Sequence, residues 1–113
     1  MRARLALACA ALLGCVHGAS HHIRRIESRD GARPERCADP PLYNDRGPNR
    51  PRESLAVVTA ECDRDRETQC RAELRRGTCE ADADALVEVS NQVIRGGVRR
   101  MVGVAVQWRG EAR

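Results

Sequence analysis

The chain has 113 residues, a formal net charge of +4, one Trp, one Tyr and no Phe. This length allows one small domain with a tail and excludes a multidomain architecture. The positive charge does not indicate nucleic-acid binding, because residues 56–113 hold ten Arg against ten acidic residues. A nucleic-acid module should carry its positive field on the folded unit.

The first 15 residues have the pattern of a bacterial export signal. Arg2 and Arg4 precede an apolar run, Leu5 to Leu13, which is too short to span a bilayer and has the length of a signal-peptide core. Leu12-Leu13-Gly14-Cys15 then resembles the lipobox of bacterial lipoproteins. This resemblance implies cleavage of a signal peptide at residues 1–14, a diacylglycerol thioether on Cys15 and acylation of the new amino terminus. Several acyl chains anchor a protein stably in a membrane.

The alternative for this region is ordinary signal cleavage near Gly18 or Ala19, which would release a soluble secreted protein. Cys9 lies inside the apolar run and would be removed with the signal. Residue 16 is Val rather than Asp. By resemblance to the sorting rules of enteric bacteria, this predicts lipid anchoring in the outer membrane, facing the periplasm.

Residues 15–53 are predicted to form a disordered tether. All five prolines of the chain lie here, and apolar residues are sparse and without period. Such a segment cannot bury enough apolar surface to offset its chain entropy. As a coil, its roughly 38 residues would reach about 35 Å from the membrane. His21 and His22, with His17, are considered as metal ligands. The adjacent pair His21-His22 has no third ligand at a set spacing, so no metal site and no cofactor is predicted.

Residues 54–109 are predicted to form a small α+β domain, followed by a tail at 110–113. Leu55 to Ala60 is apolar and rich in β-formers, which predicts a buried strand. A helix is predicted from about residue 64 to 80, with Asp63 or Asp65 as N-cap. Its apolar stripe consists of Cys70, Leu74, Gly77 and Ala81. Gly77 either permits a close approach of helix and sheet or ends the helix as a C′ residue.

Residues 85–108 predict a β-hairpin. Gly96-Gly97 has the size of a two-residue hairpin turn. Pairing Arg95 with Val98 then places Val87 opposite Val106, and a slip by one residue would break the sorting of side chains between faces. The helix is predicted to pack on the face formed by Val87, Val89, Val93, Val102, Val104, Val106 and Trp108. The expected architecture is β-α-β-β, with one helix on a three-stranded sheet.

Four cysteines remain after the signal: Cys37, Cys62, Cys70 and Cys79. Export to an oxidising compartment predicts disulfides, and four cysteines allow three pairings. Cys70 and Cys79 would lie roughly 13 Å apart along one helix, beyond the reach of a bridge. Cys62 precedes the helix and Cys79 lies near its end, so these two should also be far apart. Cys62 with Cys70 and Cys37 with Cys79 is therefore the pairing least excluded. A zinc site is the competing interpretation, although the spacing matches no usual zinc finger.

Three short motifs of the folded unit resemble those of small bacterial envelope lipoproteins, a family that includes the stress sensor of the Rcs phosphorelay. They are Thr59-Ala60-Glu61-Cys62, Ala83-Asp84-Ala85-Leu86 and Gly103-Val104-Ala105. The resemblance implies non-consecutive disulfides and a lipid-tethered sensing or binding role. That family usually has Gly or Asn before the second strand, where φ is positive; Asp82 stands there and tolerates that conformation. The loop cysteines of the Rcs sensor have no counterpart after residue 79, so its bridge pattern and its partners are not transferred.

The sequence predicts no enzyme. The predicted domain contains no His, which excludes a Cys–His or Ser–His dyad there, and Asp82, Asp84 and Glu88 are interpreted as solvated acids before and within a strand. We expect no catalytic residue, a membrane-anchored binding or stress-sensing role with an envelope protein as partner, and neither nucleic acid nor a small-molecule substrate. A structural lipoprotein without a ligand, a soluble secreted disulfide-stabilised protein, and a metal- or thiol-redox protein of the envelope are the alternatives.

Overall fold

The computed structural model describes residues 18–26 and 37–110, in which one α-helix packs on a four-stranded antiparallel sheet. The elements are β1 (Ser20–Arg25), β2 (Arg52–Asp63), α1 (Glu67–Glu80), β3 (Ala85–Ile94) and β4 (Val98–Trp108). The strands lie in the order β1-β2-β4-β3. The α+β class is confirmed, while the predicted signal peptide and Cys15 lie outside the described residues. Neither described range contains a helix with the length and hydropathy that a membrane crossing needs.

Helix α1 begins at Glu67 rather than at residue 64, because the preceding residues form a turn. The Arg66 amide donates a hydrogen bond to the Asp63 carbonyl, and Arg66 is the N-cap residue without a side-chain capping bond. The prediction that Asp63 or Asp65 caps the helix is therefore wrong. The predicted apolar stripe is confirmed, since all four of its residues are buried: Cys70, Leu74, Gly77 and Ala81.

Gly77 lies where α1 touches β2. A Cβ atom on Gly77 would lie 2.5 Å from Val58 Cγ1, a distance that real methyl groups do not adopt. The missing side chain therefore lets the helix backbone approach the sheet, and Gly77 is an interior residue of the helix rather than its C′ residue. The core beneath the helix consists of Leu55, Ala56, Val58, Ala60, Cys62, Cys70, Leu74, Ala81, Ala83, Leu86, Val89, Met101 and Ala105.

Strand β1 is the fourth strand of the sheet, so the predicted three-stranded sheet is wrong. It pairs antiparallel with β2 from Ser20 opposite Glu61 to Arg25 opposite Ala56. Ile23 packs against the core beneath the helix. This strand falls in the segment that composition assigned to a disordered tether, and that assignment does not hold for residues 20–25. Pairing with β2 satisfies the backbone hydrogen bonds of this polar segment, and the amino-acid composition gives no information about such pairing.

The register of the β3–β4 hairpin also differs from the prediction. Ile94 pairs with Val98 around a three-residue turn, Arg95–Gly97, rather than a two-residue turn. A bulge between Val87 and Ser90 shifts the register again, and Glu88 within it has a φ of 55°. Val87 therefore lies opposite Val104 and not opposite Val106.

The helix does not pack on the predicted valine face. From β4, Met101 and Ala105 belong to the core beneath α1, and a Cβ on Gly103 would lie 2.7 Å from Leu86 Cγ in that same core. Val104 and Val106 lie on the opposite side of the sheet, which we call the outer face. The valines of β4 do share one face, but on the other side the absence of a side chain at Gly103 leaves room for Leu86 and Val89 of β3 in the core beneath the helix.

Residues 41–47 cover part of the outer face, although they too fall in the predicted tether. The Tyr43 amide donates to the Leu86 carbonyl and the Leu86 amide donates to the Pro41 carbonyl, forming a parallel bridge beside β3 at Leu42. Leu42 packs against the core beneath the helix. The second, smaller cluster on the outer face consists of Tyr43, Ala85, Val87, Val104, Val106 and Trp108.

Candidate functional site

Two disulfides attach other segments to α1. Cys62–Cys70 joins the end of β2 to the first turn of the helix. Cys37–Cys79 joins the residue at the start of the second described range to the last turn of the helix. The Cα atoms are 5.5 Å apart in both pairs. The predicted use of these cysteines in disulfides is confirmed, and the pairs are those that helix geometry least excluded. Bonded in this way, the four described cysteines present no thiolate for a metal ion.

His21 of β1 lies between two carboxylates of α1, and we call these three residues the His21 cluster. Its Nδ1 lies 2.7 Å from Glu73 Oε1, and its Nε2 lies 2.7 Å from Glu80 Oε2. The side chain of Glu73 is only 12% exposed and also pairs with Arg76. An edge strand is thus attached to the helix by charged groups, of which His21 and Glu73 are largely removed from water and Glu80 is half exposed.

The two contacts of His21 require a proton on each ring nitrogen, which only the imidazolium form provides. Burial lowers the pKa of His21, but the hydrogen bonds and charges of Glu73 and Glu80 outweigh burial and raise the pKa above its ordinary value. The arrangement therefore favours a charged histidine that binds its own helix.

A concavity of about 440 Å³ opens on the outer face where β1 meets β2 and β4. Arg100 crosses between strands and donates from Nε and Nη2 to Glu61 Oε2, at 2.8 and 2.7 Å. The remaining lining comes from polar residues of β1 and β2 with one valine of β4: Ser20, His21, His22, Thr59 and Val102. This wall offers hydrogen bonds to a bound segment.

Residues 46–52, here called the arginine loop, form a second concavity of about 540 Å³. The guanidinium groups of Arg50 and Arg52 lie 4.8 and 5.0 Å from the ring centroid of Trp108, as in cation–π contacts. Arg52 also donates to the carbonyl oxygens of Arg46, Pro48 and Arg50. Arg52 thereby fixes the path of the loop at the end of the sheet.

The three acidic residues singled out in the sequence, Asp82, Asp84 and Glu88, lie at a turn, beside a strand end and at a bulge. Asp84 Oδ2 accepts a hydrogen bond from the Trp108 amide at 2.8 Å. Asp82 has a φ of 59° in the turn after the helix, a conformation that Asp tolerates. Glu88 is exposed at the bulge of β3. Their placements serve turns and strand ends.

No group of three or more His, Cys, Asp or Glu side chains within residues 18–26 and 37–110 is arranged to hold a metal ion. His21 contacts two glutamates and His22 lines the concavity on the outer face. His17 and Cys15 lie outside the described residues.

Neither the His21 cluster nor the arginine loop was predicted from the sequence. His21, Ile23 and Arg25 alternate with the period of a strand, and Glu73 and Glu80 are seven residues apart, which places them on one side of a helix. These two spacings are the sequence features from which a contact between β1 and α1 could have been predicted. The arginine loop had a weaker signal, three arginines within seven residues.

No protein-family model, curated protein or solved structure matches this chain.

Proposed function

We propose that this protein is a lipoprotein of the bacterial envelope, anchored through acyl chains on Cys15 in the outer membrane and facing the periplasm. Its folded unit binds a partner or senses the state of the envelope, and it is not an enzyme. The observation that carries the proposal is the amino-terminal sequence, in which two arginines and a short apolar run precede Leu12-Leu13-Gly14-Cys15.

The two disulfides support export. Disulfides form and persist in oxidising compartments such as the periplasm. A small domain with a core of short aliphatic side chains and few aromatic residues also gains stability from such cross-links. The same bonds are compatible with the alternative, a soluble secreted protein, so the lipid on Cys15 distinguishes the two.

The position of β1 gives the anchor a structural consequence. Ser20, the first residue of β1, follows Cys15 by five positions, a stretch that spans at most roughly 17 Å. An acylated Cys15 would therefore hold this edge of the sheet near the membrane surface. Such an arrangement suits a protein that responds to its membrane or to a neighbour in it.

The described surfaces favour binding over catalysis. Both ring nitrogens of His21 contact carboxylates, whereas a general base for a nucleophile needs one nitrogen directed at a hydroxyl or thiol. The concavity on the outer face combines Thr59, Val102 and the Arg100–Glu61 pair. These groups supply apolar area and hydrogen bonds of the kind found in recognition surfaces.

Metabolic labelling with a radioactive fatty acid in a Gram-negative host tests the anchor. Wild type and Cys9→Ala should incorporate the label, and Cys15→Ala should not. Cys9→Ala is the matched control, since it removes a cysteine from the same signal outside the lipobox. Label in Cys15→Ala, or none in wild type, would overturn the proposed anchor.

Crosslinking in intact envelopes, followed by purification of the protein, tests the binding role. One stoichiometric envelope protein, captured by wild type and by a variant of the exposed hairpin tip such as Arg95→Gln, supports it. Absence of any stoichiometric partner would contradict it and favour a structural lipoprotein.

A further inference from the structure

Strand β3 forms one edge of the sheet, and only the first half of its free side is covered by the described residues. Residues 41–45 lie along this first half, where the Val89 amide donates a hydrogen bond to the Tyr43 carbonyl. In the part of the chain that the structure describes, no strand pairs with the free side of residues 90–94, here called the open edge. The same strand thus accepts an extended segment on one half and leaves the other half uncovered by described residues.

The backbone of the open edge presents hydrogen-bonding groups on its free side. Pairing with β4 is regular along the whole open edge. The Val89 N–H points away from β4, because it donates to Tyr43. Backbone groups alternate in direction along an antiparallel strand, so the N–H and C=O groups of Asn91 and Val93 also point away from β4. A further strand placed here would find two residues in position to pair.

The open edge lacks the charges and prolines that protect many sheet edges. Its sequence, Ser-Asn-Gln-Val-Ile, contains neither a charged residue nor a proline, and Val93 is 49% exposed. The opposite edge of the sheet, β1, carries Arg24 and Arg25. Because native proteins protect edge strands with charge, proline or a covering segment, an edge without them has the properties of an interface.

The open edge is complementary to a second copy of itself. In an antiparallel pair about a two-fold axis, Asn91 of each copy would lie opposite Val93 of the other, and Gln92 opposite Gln92. A Gln amide has both donors and an acceptor, so it can bond to its own copy. Exposed Glu88 and Arg95 lie beyond the two ends of the open edge. Antiparallel pairing brings these opposite charges towards each other, whereas parallel pairing would bring like charges together.

We propose that the open edge pairs antiparallel with the open edge of a second copy, so that two four-stranded sheets join into one continuous sheet. This inference goes beyond the proposed binding role and depends neither on acylation of Cys15 nor on another envelope protein. About four backbone hydrogen bonds join the copies. One strand pair buries less area than a standard protein interface, so the dimer is weak in dilute solution. Confinement to one membrane surface raises the effective concentration and favours it.

Cysteine crosslinking in intact envelopes tests both the dimer and its register. The two cysteines of Gln92→Cys would form a non-hydrogen-bonded pair with Cα atoms about 4.5 Å apart, within reach of a disulfide. Mild oxidation should therefore give a covalent homodimer on a non-reducing gel. Ser90→Cys is the matched control, because Ser90 is exposed on the same face of the same strand. Its two copies would lie about 14 Å apart, so it should give about tenfold less dimer.

Val93→Pro in the Gln92→Cys background tests whether backbone pairing holds the copies together. Proline removes the N–H of residue 93 that points away from β4, and such positions on edge strands tolerate proline. Val93→Pro should lower the dimer yield about tenfold, whereas Val93→Thr, which keeps the N–H and the branched side chain, should stay within about twofold. Alkylation without reduction, followed by mass spectrometry, verifies that Cys37–Cys79 and Cys62–Cys70 are intact in each variant.

Three results of the crosslinking would overturn the proposal: equal dimer from Ser90→Cys and Gln92→Cys, no dimer from Gln92→Cys, or a dimer that Val93→Pro leaves unchanged. A product of Gln92→Cys with the mass of a different envelope protein would also overturn it, because the open edge would then bind another partner. Acylation of Cys15 is measured separately by labelling, so failure of the dimer is distinguishable from failure of the anchor.

Discussion

His21 Nδ1 lies 2.7 Å from Glu73 Oε1, and this contact joins residues 52 positions apart in the chain. It connects an edge strand of mostly exposed residues to a carboxylate that lies in the interface between helix and sheet. Because β1 follows Cys15 by five positions, this attachment stands between the proposed anchor and the rest of the fold.

Stability should depend on the protonation of His21. Its pKa is raised in the folded state, so its contribution is fully present below the ordinary histidine pKa and is lost as the pH rises through the raised value. At acidic pH, His21→Gln should lower the free energy of unfolding by on the order of 1 kcal/mol. Urea unfolding at pH 5.5 and 8.5 measures this.

His22→Gln is the control for that experiment, because His22 is the exposed neighbour of His21 and points to the outer face. It should retain the pH dependence of wild type. If wild type and His21→Gln lose stability in parallel between the two pH values, the His21 cluster does not attach β1 as described.

The two disulfides should differ in their accessibility to reductant. Cys62 and Cys70 are 1% and 0% exposed, whereas Cys37 and Cys79 are half-buried. A mild reductant should therefore open Cys37–Cys79 first in the folded protein, as seen by alkylation and mass spectrometry. Because that bond closes a loop across 42 positions, its loss should cost about 4 kcal/mol. Simultaneous opening of both bonds, or the reverse order, would contradict the burial described.

Gly77→Ala should destabilise the protein although Ala is the better helix former. The new methyl would lie 2.5 Å from Val58 Cγ1, and overpacking of this kind costs about 1–3 kcal/mol against a propensity gain of about 1 kcal/mol. The double variant with Val58→Ala should show favourable coupling of more than about 0.5 kcal/mol. Additive effects in thermal unfolding would show that the helix does not approach β2 this closely.

Glu88 occupies a backbone conformation that side chains rarely adopt, with a φ of 55° in the bulge of β3. Glu88→Asn should raise stability by roughly 0.5–1 kcal/mol, since Asn tolerates positive φ. Glu88→Val should lower it by roughly 1–2 kcal/mol, because β-branching disfavours that region. Urea unfolding measures both, and the opposite ranking would place the bulge elsewhere.

The parts of the fold that the sequence predicted are those with a regular period. Cys70, Leu74 and Gly77 repeat with the period of a helix and lie on the sheet. The hairpin was placed correctly in the chain, but its register depended on the length of the turn Arg95–Gly97 and on the bulge at Glu88, a residue with no intrinsic signal for positive φ. The face that receives the helix carries Gly103 and Ala105, and the small size of Gly103 is informative only once Leu86 and Val89 of β3 are placed over it.

The candidate sites were less predictable because their residues lie in a segment rich in proline and arginine. Composition argued for disorder there, yet Ile23 and Tyr43 each pack on the sheet. A few well-placed apolar residues and backbone pairing to an existing sheet are enough to order such a segment. The average composition of the segment reveals neither of these features.

Intact-mass spectrometry of the exported protein gives the sharpest test of the lipid anchor. We expect a mature chain that begins at Cys15 and carries the added mass of a diacylglyceryl group and an amide-linked acyl chain. A chain that begins at Ala19 or Ser20 without acyl mass would contradict it.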